Sequence, residues 1–305
     1  MQLEFNNPFE EDGNWYKGNL HTHTTGSDGA LSPEDTAQQY KKAGYHFLSI
    51  TDHNCITRIE KNQGILLIPG EEMACGRKGS HIVGIGLKEA ITYNNDQITN
   101  FGKNFWEVSP REMAELIKKQ GGVSIIAHPH WSGLDSCDML EASDCDMMEV
   151  FNTNCHHEQD KAYCMTYWDN LLMEDKNIFA VASDDAHNRP FAFNQPDACG
   201  SWIMVKAKKL TEWDIMQQIK RGMFYASWGP EIKDLKISGN TIHVTTSLVK
   251  SISFISCAGV GAKFTADKEP IKEAEYVITG PQQFVRVQCC DMQGRMAWTN
   301  AVIIK

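Results

Sequence analysis

The chain has 305 residues, 39 acidic against 29 basic side chains and a formal net charge of -10. That length suffices for one large α/β domain, or for a medium domain with a small one beside it. The acidic balance argues against tight, sequence-blind nucleic-acid binding, which needs a basic stripe, but it leaves room for a small anionic substrate if bound cations supply positive charge locally.

The ten cysteines are scattered, none forms a CxxC pair, and Cys289 and Cys290 are adjacent, so they read as free thiols. The opening stretch MQLEFNNPFEEDGNWYKG is acidic and has no apolar signal-like core. No stretch approaches the roughly 20 apolar residues of a membrane span, and a cytoplasmic location is the expectation.

In chain order, the first informative segment runs from Asn19 to His53. His21 and His23 are two apart, which on a strand puts both imidazoles on one face, a spacing suited to a metal. Asp28 follows in a loop. Ser32, Pro33 and Asp35 then give an N-cap, a first-turn proline and a capping acid for a helix ending near Gly44. A strand over Tyr45–Thr51 delivers Asp52 and His53 at its end, where α/β folds put their chemistry.

GILLIPGEEMAC predicts a buried strand with Glu71 and Glu72 just past Gly70, and SHIVGIGL a short strand beginning near His81. Asn94 to Trp106 reads as a loop with some helix. Ser109, Pro110 and Glu112 start a helix that Gly121 and Gly122 stop. GVSIIAHPHW is a strand tipped by His128 and His130, and MMEVFN is another. Helical spacing runs from Glu158 to Glu174 through Ala162, Met165, Trp168, Leu171 and Leu172. IFAVAS then ends in DDAH, and SWIMVKA with a helix over Thr211–Arg221 completes the alternation.

About seven βα-type units favour a parallel barrel over an open sheet. From about Pro230 only strands and turns follow, which predicts a small β-sandwich. The expected division is residues 1–229 for the barrel and 230–305 for the β-rich domain.

Taken together, HTHTTGSDG, TDHN, PGEE, HIVG, AHP and SDDAH resemble the polymerase-and-histidinol-phosphatase (PHP) family of metal-dependent hydrolases. The likeness covers about Trp15 to Pro230. GPEIKDL and the β-rich tail resemble the carbaryl-hydrolase-type branch, which includes ester hydrolases. The resemblance implies a distorted (βα)7 barrel with up to three divalent ions, manganese, zinc or iron, at the C-terminal ends of the strands. It gives His21, His23, Glu72 and Asp185 to the first ion, Glu72, His81 and His128 to the second, and Asp28, His53 and His187 to the third. A hydroxide held between ions would be the nucleophile, with Glu72 and Asp185 as bridging or supporting acids.

Imidazoles and carboxylates suit borderline divalent ions, and no thiolate cluster competes for them. Three carboxylates against three divalent ions leave a net positive site for an anionic group. The family pattern selects Glu72 over Glu71, and Asp185 over Asp184, which is expected to orient a neighbour or cap a turn. Arg189 and His130 are the candidates for substrate contact, with Trp131, Arg58, Arg77, Lys78, His156 and His157 near other motifs. His46, His243 and Cys55 read as structural.

The expected activity is hydrolysis of a small phosphorylated substrate. The alternatives are carboxylic-ester or carbamate hydrolysis at the same site, and a non-catalytic binding module. There is no GxSxG elbow and no P-loop, so serine-hydrolase and nucleotide-triphosphatase readings have no support. Oligomeric state is left open.

Overall fold

Capped helical segments separate short β-branched runs over most of the chain, and the computed structural model follows that alternation. It describes residues 2–60, 63–76, 78, 80–91, 105–189 and 196–305. The first elements are β1 (Leu3–Glu4), β2 (Asn14–Asn19), α1 (Pro33–Lys42), β3 (Phe47–Ile50), β4 (Leu66–Cys75) and β5 (Ser80–Ile85). Next come α2 (Pro110–Lys119), β6 (Val123–Ile126), α3 (Ser136–Glu141), β7 (Met147–Asn152), α4 (Thr153–Gln159) and α5 (Met165–Met173). The strands β8 (Phe179–Ser183) and β9 (Trp202–Ala207), α6 (Glu212–Lys220) and β10 (Phe224–Ser227) follow.

The helices begin where the sequence places caps. Ser32 accepts from the Asp35 backbone N–H ahead of α1, and Ser109 and Glu112 form a reciprocal capping box on α2. Each such cap is worth about 1 kcal/mol.

The run β2-β3-β4-β5-β6-β7-β8 is hydrogen-bonded in that order. It is parallel except around β5, which pairs antiparallel with both neighbours. Its two ends meet just past β2 and β8. There Thr22 bridges Ala186 in parallel, Asp185 N–H donates to the His21 carbonyl at 2.9 Å and His23 N–H to that of Ala186 at 2.8 Å. This junction is compatible with the expected barrel.

β4 runs through Glu71 and Glu72 to Cys75, close to the strand read from GILLIPGEEMAC, and from Gly70 onward it pairs with the antiparallel β5. Two expectations are corrected. His21 and His23 lie beyond β2, held by that junction and not by a strand ladder. The helix expected over Glu158–Glu174 is two, α4 and α5, separated where Asp160 turns left-handed at φ 57°. Arg77 and most of the expected loop at 94–106 lie outside the described residues; within that stretch, Phe105–Glu107 forms a short 3-10 turn.

The remaining strands are β11 (Ile232–Ser238), β12 (Thr241–Val249), β13 (Ser251–Ile255), β14 (Gly261–Thr265), β15 (Ile271–Val277), β16 (Phe284–Cys290), β17 (Met296–Thr299) and β18 (Val302–Ile304). β11, β12 and β15 form a three-stranded sheet. Its inner residues Leu235, Ile242 and Val244 share a core with Ile252, Phe254 and Val287 of the larger sheet. That larger sheet is continuous with the first, since β17 pairs with β10, β10 with β9 and β9 with β2. Among the described residues, no helix is long and apolar enough to cross a membrane.

Candidate metal centre

Alternation along β4 turns Glu72 towards the mouth of the strand run and Glu71 away from it. Glu72 comes level with His53, which bridges it in parallel, while His81 arrives on the antiparallel β5 opposite Ala74. His128 follows β6 at φ 30° and Asp185 follows β8 at φ 55°, both left-handed. Such backbone is sparsely populated and is kept where the surroundings over-determine it. Asp28 is delivered by a loop folded back on the histidines. A Cβ on Gly29 would lie 2.5 Å from the His23 carbonyl oxygen, so only glycine fits there.

Three groups of side chains result: His21, His23, Glu72 and Asp185; Glu72, His81 and His128; and Asp28, His53 and His187 together with His23, which the sequence reading gave to the first set alone. In the first, His21 Nε2 and His23 Nε2 lie 3.3 Å apart; His21 Nε2 is 3.3 Å from Glu72 Oε2 and 3.2 Å from Asp185 Oδ1, and His23 Nε2 is 3.1 Å from each. In the second, Glu72 Oε1 lies 2.8 Å from His81 Nδ1 and 3.1 Å from His128 Nε2. In the third, Asp28 Oδ1 lies 3.8 Å from His53 Nε2, and Asp28 Oδ2 lies 3.4 Å from His187 Nε2. His23 Nδ1 also comes within 3.6 Å of Asp28 Oδ1, but its Nε2 belongs to the first group.

The first group fits a divalent ion. Ligands at about 2.0–2.2 Å around a tetrahedral ion stand about 3.3–3.6 Å from one another, close to the 3.1–3.3 Å separations found here. The proton positions fit as well. His187 Nδ1 donates to the Asp185 carbonyl at 2.8 Å, which frees Nε2 to face Asp28.

The sequence reading missed Glu149, on β7. Its buried carboxylate takes His21 Nδ1 at 2.7 Å, the His128 backbone N–H at 2.8 Å, Asn152 Nδ2 at 2.8 Å and Ser183 Oγ at 2.5 Å. Holding His21 by Nδ1 keeps Nε2 turned into the group. The signal available was a lone acid inside the apolar strand MMEVFN. Asp52, expected with His53 at a strand end where chemistry sits, enters none of the groups; it accepts from Thr24 N–H at 2.7 Å, Thr24 Oγ1 at 2.6 Å and Ser27 Oγ at 2.8 Å, and so shapes the loop that carries Asp28. Asp197 accepts the backbone N–H of His187 at 2.7 Å.

Among these side chains the histidines answer the carboxylates. Burial by itself lowers the His23 pKa, but hydrogen bonds to Asp185 and Glu72 overcome this and raise it to about 9. Burial likewise lowers the His21 pKa, but Asp185, Glu72 and Glu149 outweigh it and raise His21 well above its usual value. Against burial, the surrounding imidazoles lower Glu72, Asp185 and Asp28. Such a site exchanges protons for cations when an ion enters.

Asp184 does not enter the groups. It accepts from Tyr40 Oη at 2.7 Å and from the backbone N–H groups of Cys199, Gly200 and Ser201 at 2.7–3.0 Å, capping that turn as expected. Arg189 reaches the rim, with Nη2 2.5 Å from Asp28 Oδ2. His130 is exposed and outside the three groups, whereas Trp131 beside it packs on His128. His156 packs on Trp228, Arg58 donates to the Lys88 carbonyl, and Lys78 pairs with Asp135 and Asp138. His157 adjoins His156 and belongs to none of the groups. His46 accepts from Lys17 N–H, and His243 sits 4.0 Å from Glu273 in the β-rich part. Cys55 contacts the Gly26 carbonyl.

No protein-family model matches the chain. It is 30% identical over 154 residues to the uncharacterized protein MJ1587 of Methanocaldococcus jannaschii, a match covering 45% of this chain and 81% of that one. It is 38% identical over 79 residues to a 5'-3' exoribonuclease of Haemophilus influenzae, covering 23% of this chain and only 29% of the relative. A crystal structure of a two-domain protein from Bacteroides vulgatus, containing a predicted PHP-like metal-dependent phosphoesterase, superposes with a TM-score of 0.52 at 14% identity. That likeness covers 94% of this chain and 95% of the other.

Proposed function

The chain belongs to the PHP family, and on that premise we propose that it is a metal-dependent hydrolase acting on a small phosphorylated substrate. One observation carries the reading: four donor atoms from His21, His23, Glu72 and Asp185 converge with the mutual spacing of ligands around one divalent ion. His81 and His128 with Glu72, and Asp28 with His53 and His187, would hold a second and a third. The donors suit manganese, zinc or iron.

Bound divalent ions would supply Lewis-acid charge and lower the pKa of water. The chain's own residues do the rest. Glu72 offers one oxygen to each of two groups, Glu149 fixes the orientation of His21, and Asp197 holds the backbone at His187. Arg189, half-exposed beside Asp28, provides a guanidinium that can meet a phosphate oxygen at the rim. The phosphoesterase likeness of the Bacteroides protein and this rim cation support the phosphoester form.

Carboxylic-ester or carbamate hydrolysis is the second reading. It is favoured by the resemblance of GPEIKDL and the β-rich tail to the carbaryl-type branch, since divalent ions polarise a carbonyl equally well.

Elemental analysis of the purified chain and of His81→Ala, alongside assays with aryl phosphates, nucleotides and aryl esters in manganese, tests the proposal. The variant is expected to lose about one ion per chain and at least about tenfold in rate. Unchanged metal content and rate in His81→Ala contradict the site. Inactivity of the wild-type chain on every phosphate would sink the phosphoester form, and on the esters as well, the hydrolase.

A further inference from the structure

Glu72 reaches two groups because its two oxygens face different ways, and Asp185 is placed to do the same. Its Oδ1 lies 3.2 Å from His21 Nε2 and 3.1 Å from His23 Nε2, in the first group, while its Oδ2 lies 3.8 Å from His128 Nε2, in the second. That second oxygen is engaged elsewhere. It accepts from Asn152 Nδ2 at 3.3 Å.

Asn152 is wholly buried at the junction of β7 and α4. Its amide offers one acceptor and two donor protons, and all three are used. Oδ1 accepts the Cys155 backbone N–H at 2.9 Å, which caps α4. Only an oxygen can accept there, so that bond fixes which end of the amide is the nitrogen. Nδ2 is thereby turned to two carboxylates, Glu149 at 2.8 Å and Asp185 at 3.3 Å. Glu149 is held on both oxygens, by His21 Nδ1 and Ser183 Oγ on Oε1 and by the His128 backbone N–H and Asn152 on Oε2. The amide therefore stands between a fixed acid and a helix cap, and it restrains Asp185 from that position.

From this we infer that Asn152 is a positioning residue that keeps Asp185 a ligand of the first ion alone. It withholds Oδ2 from the second group, which is left with Glu72, His81 and His128 and a position open to substrate. The inference rests on the metal-dependent hydrolase reading above and concerns how its first two ions are kept distinct. Without the amide donor, Oδ2 is free to turn towards His128 and to bridge the two ions beside Glu72. A fourth protein donor holds the second ion more tightly and fills the position left for substrate. Loss of this donor should raise metal affinity and lower the rate, whereas loss of a merely structural residue lowers both.

Asn152→Ser and Asn152→Asp in the full chain test this. Both keep an oxygen that can cap α4, but Ser is too short to reach the acids and Asp has no proton to give. Manganese alone is drawn from each protein with a graded chelator and followed by elemental analysis, and rates are measured on an aryl phosphate and an aryl ester. The second ion is expected to resist the chelator about tenfold better in both variants while hydrolysis falls at least about tenfold. Adding His81→Ala, which removes a ligand of that ion, is expected to abolish the gain. Parallel loss of metal and rate, or an unchanged affinity, overturns the inference. A crystal structure of the manganese-loaded wild-type chain decides the same point without any variant: Asp185 bound through Oδ1 alone, with Oδ2 on Asn152, is the expected result, and Asp185 bridging two ions overturns it. If the wild-type chain turned over neither ester, the hydrolase reading would fall, while the affinities and the crystal structure would still decide the role of Asn152.

Discussion

Glu71 and Glu72 are neighbours in the chain whose environments are opposite. Glu72 is ringed by imidazoles, whereas Glu71, equally buried, accepts the Ile91 backbone N–H on Oε1 and, among the described residues, has no partner on Oε2. Burial pushes its carboxyl up from 4.5 to about 7, against the opposing Ile91 hydrogen bond. An acid whose folded pKa is raised contributes stability that is present below its unfolded value and lost as pH rises through the folded one. For Glu71 that window runs from 4.5 to about 7 and is worth on the order of 3 kcal/mol. Urea unfolding of the metal-free Glu71→Gln variant should therefore lack the fall in stability across that window that the wild-type chain shows; parallel pH curves would refute it. Alternation along a strand says that one of two adjacent acids faces inward, and the resemblance of PGEE to a family motif was needed to say which. Glu149 escaped because a carboxylate that supports the centre from behind, through His21 Nδ1 and the His128 backbone, carries no motif of its own.

At the level of elements, the segment from His21 to Ser32 is shaped by Asp52, a residue from the end of another strand. Its carboxylate collects Thr24 twice, Ser27 and Thr57. An amide in its place would turn a donor towards groups that are themselves donors. Asp52→Asn should loosen the Asp28 loop and lower metal content by about one ion per chain, with the deeply buried His21–His23 group still filled. Elemental analysis with a competing chelator measures this, and full retention of metal would show that the loop needs no such support. The caps of α1 and α2 were legible because a cap is a local hydrogen bond between residues three apart. The break between α4 and α5 was not, since apolar spacing continues past Asp160 while only its left-handed backbone ends the helix.

Across the whole molecule, the β-rich C-terminal part is woven into the rest. β17 is the hydrogen-bonded neighbour of β10, and Phe284 and Trp298 belong to the core of the strand run. Asn300 accepts from Ala180 N–H and donates to the carbonyls of Gly222 and Phe224. Arg286, 2% exposed, makes a two-pronged pair with Asp169 and lies over the Trp168 ring. A chain ending at residue 229 would leave the β10 edge open and part of that core bare. It should be recovered largely as aggregate, and the full chain should melt in one transition; soluble 1–229 with normal metal content would overturn this. Composition marked where helices cease, but a pairing between β10 and β17 joins residues far apart in the chain and leaves no local trace. The carboxylate of Glu72 has a further consequence at this scale. Because its two oxygens belong to different groups, occupation of either one changes the orientation and charge available to the other. A coupling of this kind is reciprocal: by whatever factor an ion in one group would change the affinity of the other, an ion in the other would change the affinity of the first.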